Sequence, residues 1–503
     1  MKNLITILTL FIVLFYTSSC INTEKKQDLT EETKNILKNI DDKIYINIYM
    51  EGDLSPKFTE LQSSVTNIIQ KFKDRSTKEI DFEFVKVNEK DSIDKKGIYS
   101  PLSNLDIHPI WVQTSETKFH KTYPYATIHF REKSTPILLH NSLYYDTIPE
   151  LKEKELQNSI ESLEYNLIEA IYLLQQYQKK KIAFLQGNGE LDSTNTWDIR
   201  NTLSKFYDVD FFDLRSFEQN KETQSPDIYK QIERLGKYEC IIIAKPSKPF
   251  LDIDKYLIDQ YIMNGGKTIW FIDGTTANMN NFGTNLNFQL SENNLGLDEY
   301  LSSYGAKINH DLIQDEKCSK SPVYFNNEIA YFNWQYKPVL QTNTNNIIGK
   351  FKDSIITDFV SSIKIVKSEK CKILLTTSEK TNLLKSGEEV SFDIIKNPPT
   401  TFEGKKTTAV LIEGNFRSNY TEINKNLDLK KEIENNKMII VSDGDIISNL
   451  HTPPNFYYPL GYYHFGRNVF DGNTNFILNS ILYLCGDEDL IKIRNKTKMK
   501  NEK

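Results

Sequence analysis

The sequence predicts an α/β protein made of two sheet-and-helix bodies, the second a doubly wound parallel sheet. Three observations predict it. Residues 41–179 alternate between strand and helix periods in the order β-α-β and then β-β-α. Lys179–Leu214 reads strand, glycine loop, helix and strand, the opening unit of a parallel sheet. Farther on, continuous apolar runs such as Ile241-Ile242-Ile243 and Ile439-Ile440-Val441 suit strands covered on both faces.

The chain starts with an address. Lys2 precedes an apolar run, Leu4 to Tyr16, and then Thr17-Ser18-Ser19-Cys20. The run falls short of the about 20 apolar residues that span a bilayer. It suits a signal-peptide core ending in small residues. Cys20 is therefore the expected lipidation site of a bacterial lipoprotein, although Thr17 stands where that motif usually has Leu. An uncleaved anchor and a plain cleaved signal are the alternatives, and each exports residues 21–503. The expected location is the cell envelope, membrane-anchored with the body in the periplasm, and residues 21–40 form a polar tether. The remaining cysteines, Cys240, Cys318, Cys371 and Cys485, are widely spaced with no CxxC. They read as unpaired thiols, which argues against thiol redox chemistry and a structural zinc. Net charge is −6 with no long basic face, so nucleic acid is not an expected partner. The 27 Tyr and 28 Phe favour strand-rich cores and adhesive surfaces.

In the first body (41–179), Ile44, Ile46 and Ile48 alternate as a strand. Leu61, Val65, Ile68, Ile69 and Phe72 share one helical face, and Ile80, Phe82 and Phe84 alternate again. After an irregular stretch, 88–122, Ala126–Phe130 and Ile137–His140 read as a hairpin across Glu132-Lys133-Ser134, with His129 facing His140. Ile160, Leu163, Leu167, Ile171 and Leu174 mark a closing helix. This is the element order of a thioredoxin-like domain. Pro124 stands where that fold often keeps a cis proline. The redox pair is missing: the start of the first helix reads Gly52-Asp53-Leu54-Ser55-Pro56. An unrelated α+β domain is the alternative.

The second body is expected over 180–274 and 407–486, interrupted by a strand-rich insertion, 275–406, and followed by a basic, solvated tail, 487–503. Its strands read as Ile182–Leu185, Val209–Leu214, Cys240–Ala244, Thr268–Ile272, Ala409–Glu413 and Met438–Ser442. Helices fall near 194–206, 227–235, 252–264 and 474–484. Ligands of such sheets sit at the carboxyl ends of the strands. The candidate ligand residues there are Gly187, Asn188, Gly189 and Glu190 in the first loop, with Asp273, Asp443 and Asp445 after later strands. Glycines permit close backbone approach, and a helix start offers N–H groups to an anion. The loop matches neither GxGxxG nor GxxxxGK[ST], so ATP hydrolysis is not expected. Structural turns and helix caps are the alternative for all these positions. Seven scattered histidines form no HExxH, and no GxSxG elbow occurs. Cys240 begins its strand instead of standing in a strand-to-helix turn. No catalytic residue, metal or cofactor is therefore expected, and the chain reads as a binding or assembly protein.

Several blocks in order carry a resemblance: IYINIYMEGDLSPKFTELQ, LQNSIESLEYNLIEAI, KKIAFLQGNGELD, AVLIEGNFRS, IIVSDGDII and NFILNSILYL. The chain resembles the GldG family, the non-ATPase component of the gliding-motility-associated ABC transporter of Bacteroidetes, from about residue 28 to 495. The resemblance implies an envelope protein partnered with an ABC permease and a separate ATPase. It also implies that the second body has an amidotransferase-like sheet of the kind shared with intraflagellar-transport proteins, without catalysis. The function expected from it is a non-catalytic extracytoplasmic accessory subunit; a solute-binding lipoprotein for a glycan or peptide is the alternative. Asn188 stands where the family loop usually has His. The N-terminal apolar segment is short for the family, and the sequence stops at Lys503 without the second hydrophobic helix that members often carry. A lipid-anchored paralogue with a different partner is the expectation those departures leave open.

Overall fold

The structure is a computed structural model that describes residues 28–87, 107, 109–115, 118–140, 147–148, 151–221, 224–282, 286–325, 328–420, 430–454, 456–465 and 468–498. Cys20 and the leader before it lie outside the described residues, as does most of the irregular stretch after residue 87. The chain divides into two compact units between Tyr172 and Leu173.

The first unit opens with α1 (Glu31–Lys38), capped by Thr30, whose Oγ1 accepts from Thr33 N at 3.0 Å. β1 (Ile44–Ile48) leads to α2 (Pro56–Arg75), which has Pro at its first turn and buries Phe58, Leu61, Val65, Ile69 and Phe72 at helical spacing. β2 (Ile80–Phe84) follows, then β3 (Ile110–Ser115), β4 (Lys118–Thr122), β5 (Tyr125–Phe130), β6 (Lys133–Leu138) and β7 (Thr147–Ile148), and finally α3 (Glu153–Gln175). The main sheet has the order β2-β1-β5-β6, and β4-β3-β7 form a smaller one. β1 is parallel to β2 and antiparallel to β5, so Ile46 sits between Phe82 and Ile128.

Two expectations here are corrected. The hairpin turn is only Arg131-Glu132, with Arg131 at φ 54°, so β6 starts at Lys133 and His129 opposes Ser134, not His140. The bond before Pro124 is trans: Tyr125 N bonds Tyr123 O at 2.8 Å, a three-residue turn centred on the proline.

The second unit is built on one large sheet. Its strands are β8 (Lys181–Gln186), β9 (Asp208–Asp213), β10 (Cys240–Ala244), β11 (Lys267–Phe271), β12 (Cys318–Phe325), β13 (Glu328–Thr342), β14 (Cys371–Thr376), β15 (Thr407–Arg417) and β16 (Glu432–Val441). Their spatial order is β12-β13-β14-β15-β16-β11-β10-β8-β9, with Ile355–Ile356 paired to β13 as a tenth strand. The five strands β9, β8, β10, β11 and β16 are mutually parallel. β15 is antiparallel to β16, so the sheet is mixed where a parallel one was expected. β14 is antiparallel to β15 in turn: between them come only short ladders and a 3-10 turn with no crossover helix, and antiparallel neighbours need none.

Helices α4 (Trp197–Ser204), α5 (Ile228–Leu235), α6 (Asp252–Met263) and α7 (Asp298–Tyr304) punctuate the strands, and α8 (Gly472–Leu484) and α9 (Glu488–Lys498) close the unit. Ile241, Ile243, Trp270, Met438 and Ile440 pack with Leu257 and Tyr261 of α6 and Tyr300 and Tyr304 of α7. The alternate residues Ile242, Ile269 and Ile439 are equally buried, and α8 packs on β11 and β16. Covering on two faces explains the apolar runs. The insertion adds a smaller core in which Trp334, Tyr336, Phe359 and Val390 are buried. The expected solvated tail is instead helical through Lys498: Leu490, Ile491 and Ile493 are buried, and Arg494 donates to Asn479 Oδ1 at 2.8 Å and Asn475 Oδ1 at 2.6 Å.

Candidate functional site

The strand order places a reversal between β8 and β10: the chain moves outward to β9, then back across β8. A crevice at the carboxyl ends of the strands flanking such a reversal is where sheets of this class take ligands. Gly187–Glu190 follow β8, and Lys245–Pro249 follow β10. Here the two loops are laced together. Asn188 O accepts from Ser247 N at 3.0 Å and Lys248 N at 2.8 Å. Asn188 Nδ2 donates to Pro249 O at 3.2 Å and to Asp254 Oδ2 at 3.1 Å. Ser247 Oγ donates to Gly189 O at 2.9 Å. Asn188 is wholly buried by these contacts. Gly189 has φ +72°, and a Cβ there would lie 2.3 Å from Ser247 Oγ, so this approach requires glycine. Asp254, on α6, is fully buried and also accepts from Arg215 Nη2 at 2.6 Å and Leu251 N at 2.8 Å.

The loop's N–H groups are also occupied from within. Glu190 Oε2 accepts from Asn188 N at 2.7 Å. Burial raises the Glu190 pKa, while the backbone N–H groups of residues 187, 188 and 190 and the charge of Arg215 oppose that rise. A carboxylate of the chain itself thus stands where an external anion was expected. The helix start lies farther along the chain. α4 begins at Trp197, three residues later than predicted, because Asp192 Oδ1 accepts from Thr194 N and Asn195 N and turns the chain first.

Asp273 follows β11 by two residues, and Asp443 and Asp445 follow β16. Carboxylate oxygens from the three lie within 4.8 Å of one another, an all-oxygen donor set of the kind hard divalent cations favour. A lysine that the sequence reading missed fills it. Lys245, directly after β10, places Nζ 2.5 Å from Asp445 Oδ1 and 3.4 Å from Asp273 Oδ2. Its stem lies against Gly444, where a Cβ would come within 2.5 Å of Lys245 Cγ. Gly444 N donates to Asp273 Oδ1 at 2.6 Å, and Asp445 N to Asp443 Oδ1 at 2.7 Å. A second pair, Lys337 with Asp358 at 2.8 Å, joins through Asp358 N, which donates to Asp443 Oδ2 at 3.4 Å. Burial pushes Asp273 up to about 6 and also raises Asp443 above the ordinary carboxylate value. Burial also works against the charge on Lys245, but Asp273 and Asp445 outweigh it and raise the lysine pKa.

The sequence thus named one rim, and the structure resolves it into two hydrogen-bonded clusters joined through residues 245–249. Arg215, Lys245, Asp254, Lys337 and Asp358 were not singled out. Only Lys245 carried a signal, its place immediately after a strand. Outside these two clusters, a cleft of about 620 Å³ is lined by Glu292, Asp298, Glu299, Tyr300, His310 and Tyr420, among others. His310 Nδ1 lies 2.8 Å from Gly274 O and Nε2 3.1 Å from Asp298 Oδ2. Burial lowers the His310 pKa, and these two acceptors reverse that into a net rise. Cys240, Cys318, Cys371 and Cys485, the cysteines among the described residues, are free thiols. No described helix is long and apolar enough to cross a membrane.

A family described as an ABC-type uncharacterized transport system matches residues 179–480, well over half of the chain. The chain belongs to this family of auxiliary components of ABC-type transport systems. A domain family of unknown function matches residues 23–129. No curated protein matches. Among solved structures, the mmIFT52 N-terminal domain is similar at 13% identity and a TM-score of 0.35, covering 61% of this chain and 97% of that one. A likeness that faint carries no argument about function.

Proposed function

We propose that this chain is a non-catalytic, extracytoplasmic accessory subunit of an ABC transport system of the gliding-motility kind, and that it acts by holding protein partners. Family membership supplies the transport system. The observation that carries the assembly role is the laced crevice: the places where this class of sheet takes anions and cations are satisfied by Asn188, Glu190 and Lys245. An ABC permease and a separate ATPase are the partners that the GldG resemblance supplies. The order β2-β1-β5-β6 supports a thioredoxin-like reading of the first unit, as a scaffold without the redox pair. Membrane attachment through Cys20 completes the reading.

Crosslinking the tagged full chain in its native envelope tests it. Recovery of an ABC permease and its ATPase is the expected result; recovery of this chain alone refutes the assembly role. Mass spectrometry of the mature N-terminus is expected to show a lipid thioether on Cys20, and an intact Met1 overturns that part. The solute-binding alternative requires a glycan or peptide to raise the melting temperature by mass action. The closed crevice favours no shift.

A further inference from the structure

Residues 449–471, which follow the acid cluster, differ in composition from everything around them. Seven of these residues are Phe or Tyr, and Arg467 and Asp471 are the only formal charges, in a chain where 26% of residues are charged. The segment is pinned at both ends of its course. Asn449 Oδ1 accepts from Asp198 N at 3.1 Å, and Leu460 N donates to Asp198 Oδ2 at 2.8 Å, fixing it to α4. Tyr463 Oη accepts from Lys320 N at 2.5 Å, fixing it to edge strand β12. Its rings are ordered on one another. Trp197 of α4 stacks on Tyr457 with centroids 4.7 Å apart and planes at 11°, and Tyr458 lies 4.4 Å from Tyr462. Phe465 meets Tyr331 of β13 at 5.0 Å.

Despite these contacts the strip remains open to solvent: Phe456 is 60% exposed, Leu450 48%, Phe465 40% and Trp197 37%. Contiguous exposed apolar surface marks interaction sites, and charge depletion with Tyr, Trp and Phe enrichment is the composition of interface cores. Rings already fixed by their neighbours lose little entropy on binding. Resting on the assembly reading above, we propose that this strip is the face on which the second unit docks an apolar, charge-poor protein surface of its transport partner. A protein fits better than a glycan because the strip includes aliphatic groups that give a sugar no ring face. Leu450 is one, and Ile329 is another, 50% exposed and two residues before Tyr331 on the same face of β13. A protein fits better than an anionic lipid surface because the cations are few: Arg467 in the segment and Lys320, whose Nζ lies 4.5 Å from the Phe465 ring centroid, fall short of the clusters of about four to eight that lipid recognition uses.

The test compares the tagged full chain with the double variant Phe456→Asp/Phe465→Asp and with the control Tyr229→Asp, an exposed ring on α5. Each is crosslinked in the native envelope, and the permease and ATPase recovered are quantified by mass spectrometry. The double variant is expected to lose recovery about tenfold or more, as for loss of interface anchors, with the control unchanged and the melting temperatures equal. Undiminished recovery with the double variant overturns the docking face and leaves the accessory role standing. Failure of the unaltered chain to recover either subunit overturns both. Loss of self-crosslinks, of glycan binding or of vesicle binding in the double variant, with the transport subunits still recovered, assigns the strip to another occupant and overturns the proposal.

Discussion

The crevice between β8 and β10 and the aromatic segment after β16 border the same end of one sheet, and they treat their side chains oppositely. In the crevice three polar side chains turn inward: Asn188 laces the two loops, Glu190 takes the loop's N–H groups, and Lys245 takes the carboxylates. In the segment large apolar groups turn outward, led by Phe456 and Leu450. On the assembly reading proposed above, the crevice residues serve the chain's own stability and the outer strip serves recognition. A glycine loop or an acid triad read in sequence indicates where a ligand would sit, and only the structure tells whether the chain already supplies it.

Removing the internal cation is the strongest way to break this picture. Lys245→Met leaves Asp273, Asp443 and Asp445 facing one another without compensation. Deleting one partner of a fully buried ion pair costs about 3–5 kcal/mol; with the Lys245 and Asp445 side chains 26% and 31% exposed, that is an upper bound here, and a clear drop in urea midpoint is expected. The sharper reading comes from adding magnesium or calcium. A divalent ion should raise the melting temperature of Lys245→Met and leave the unaltered chain unmoved. Equal stabilisation of both would mean that Lys245 does not fill the site.

Glu190→Ala should cost about 1–3 kcal/mol, the penalty of leaving buried donors unmade. It also frees the loop's N–H groups. Sulfate or phosphate is expected to raise the melting temperature of this variant and not that of the unaltered chain. No anion effect on the variant would show that the loop is a turn with no anion-binding capacity of its own.

How much of this was legible depended on which forces were local. Cys240–Ala244 matches to the residue, because five consecutive buried positions leave no doubt about a central strand. The strand predicted at Met438 begins six residues earlier, at Glu432, because its polar first half pairs with β15 and has no apolar alternation to read. Asp273 and Asp443 were placed at strand ends from their position after apolar runs. Lys245 was not, since a lysine after a strand ordinarily reads as a solvated side chain. Its role depends on Gly444 and Asp445, some two hundred residues away. Asn188 likewise reads in sequence as a candidate ligand residue or a turn, because its partners Pro249 and Asp254 are joined to it only by the fold.

The acid cluster also gives a pH dependence whose sign differs from the usual carboxylate case. Asp273 titrates near 6 in the folded chain against an ordinary value of 3.8, so the native state holds its proton more tightly than the unfolded one. Its contribution is present in full below about pH 4 and is lost as pH rises through 6. Asp443 acts in the same direction. Asp273→Asn keeps an oxygen for Gly444 N and removes the titration. The unaltered chain should therefore lose urea resistance between about pH 4 and 6 more steeply than the variant. Equal slopes would show that Lys245 already stabilises the ionised form fully.

The smallest expected effect tests the outward-facing half of the comparison. Phe456→Asp replaces an exposed ring with a charge. Phe456 contacts Tyr458 at 4.8 Å but lies mostly in water, so little buried area is lost. Surface changes of this kind stay within about 0.5 kcal/mol. Thermal unfolding of the full chain should therefore be nearly unchanged, in contrast to Lys245→Met at the other end of the scale. A loss of several kcal/mol would mean that the ring holds the segment down, and the strip would then be a cover for the edge of β12 with no surplus apolar surface to offer a partner.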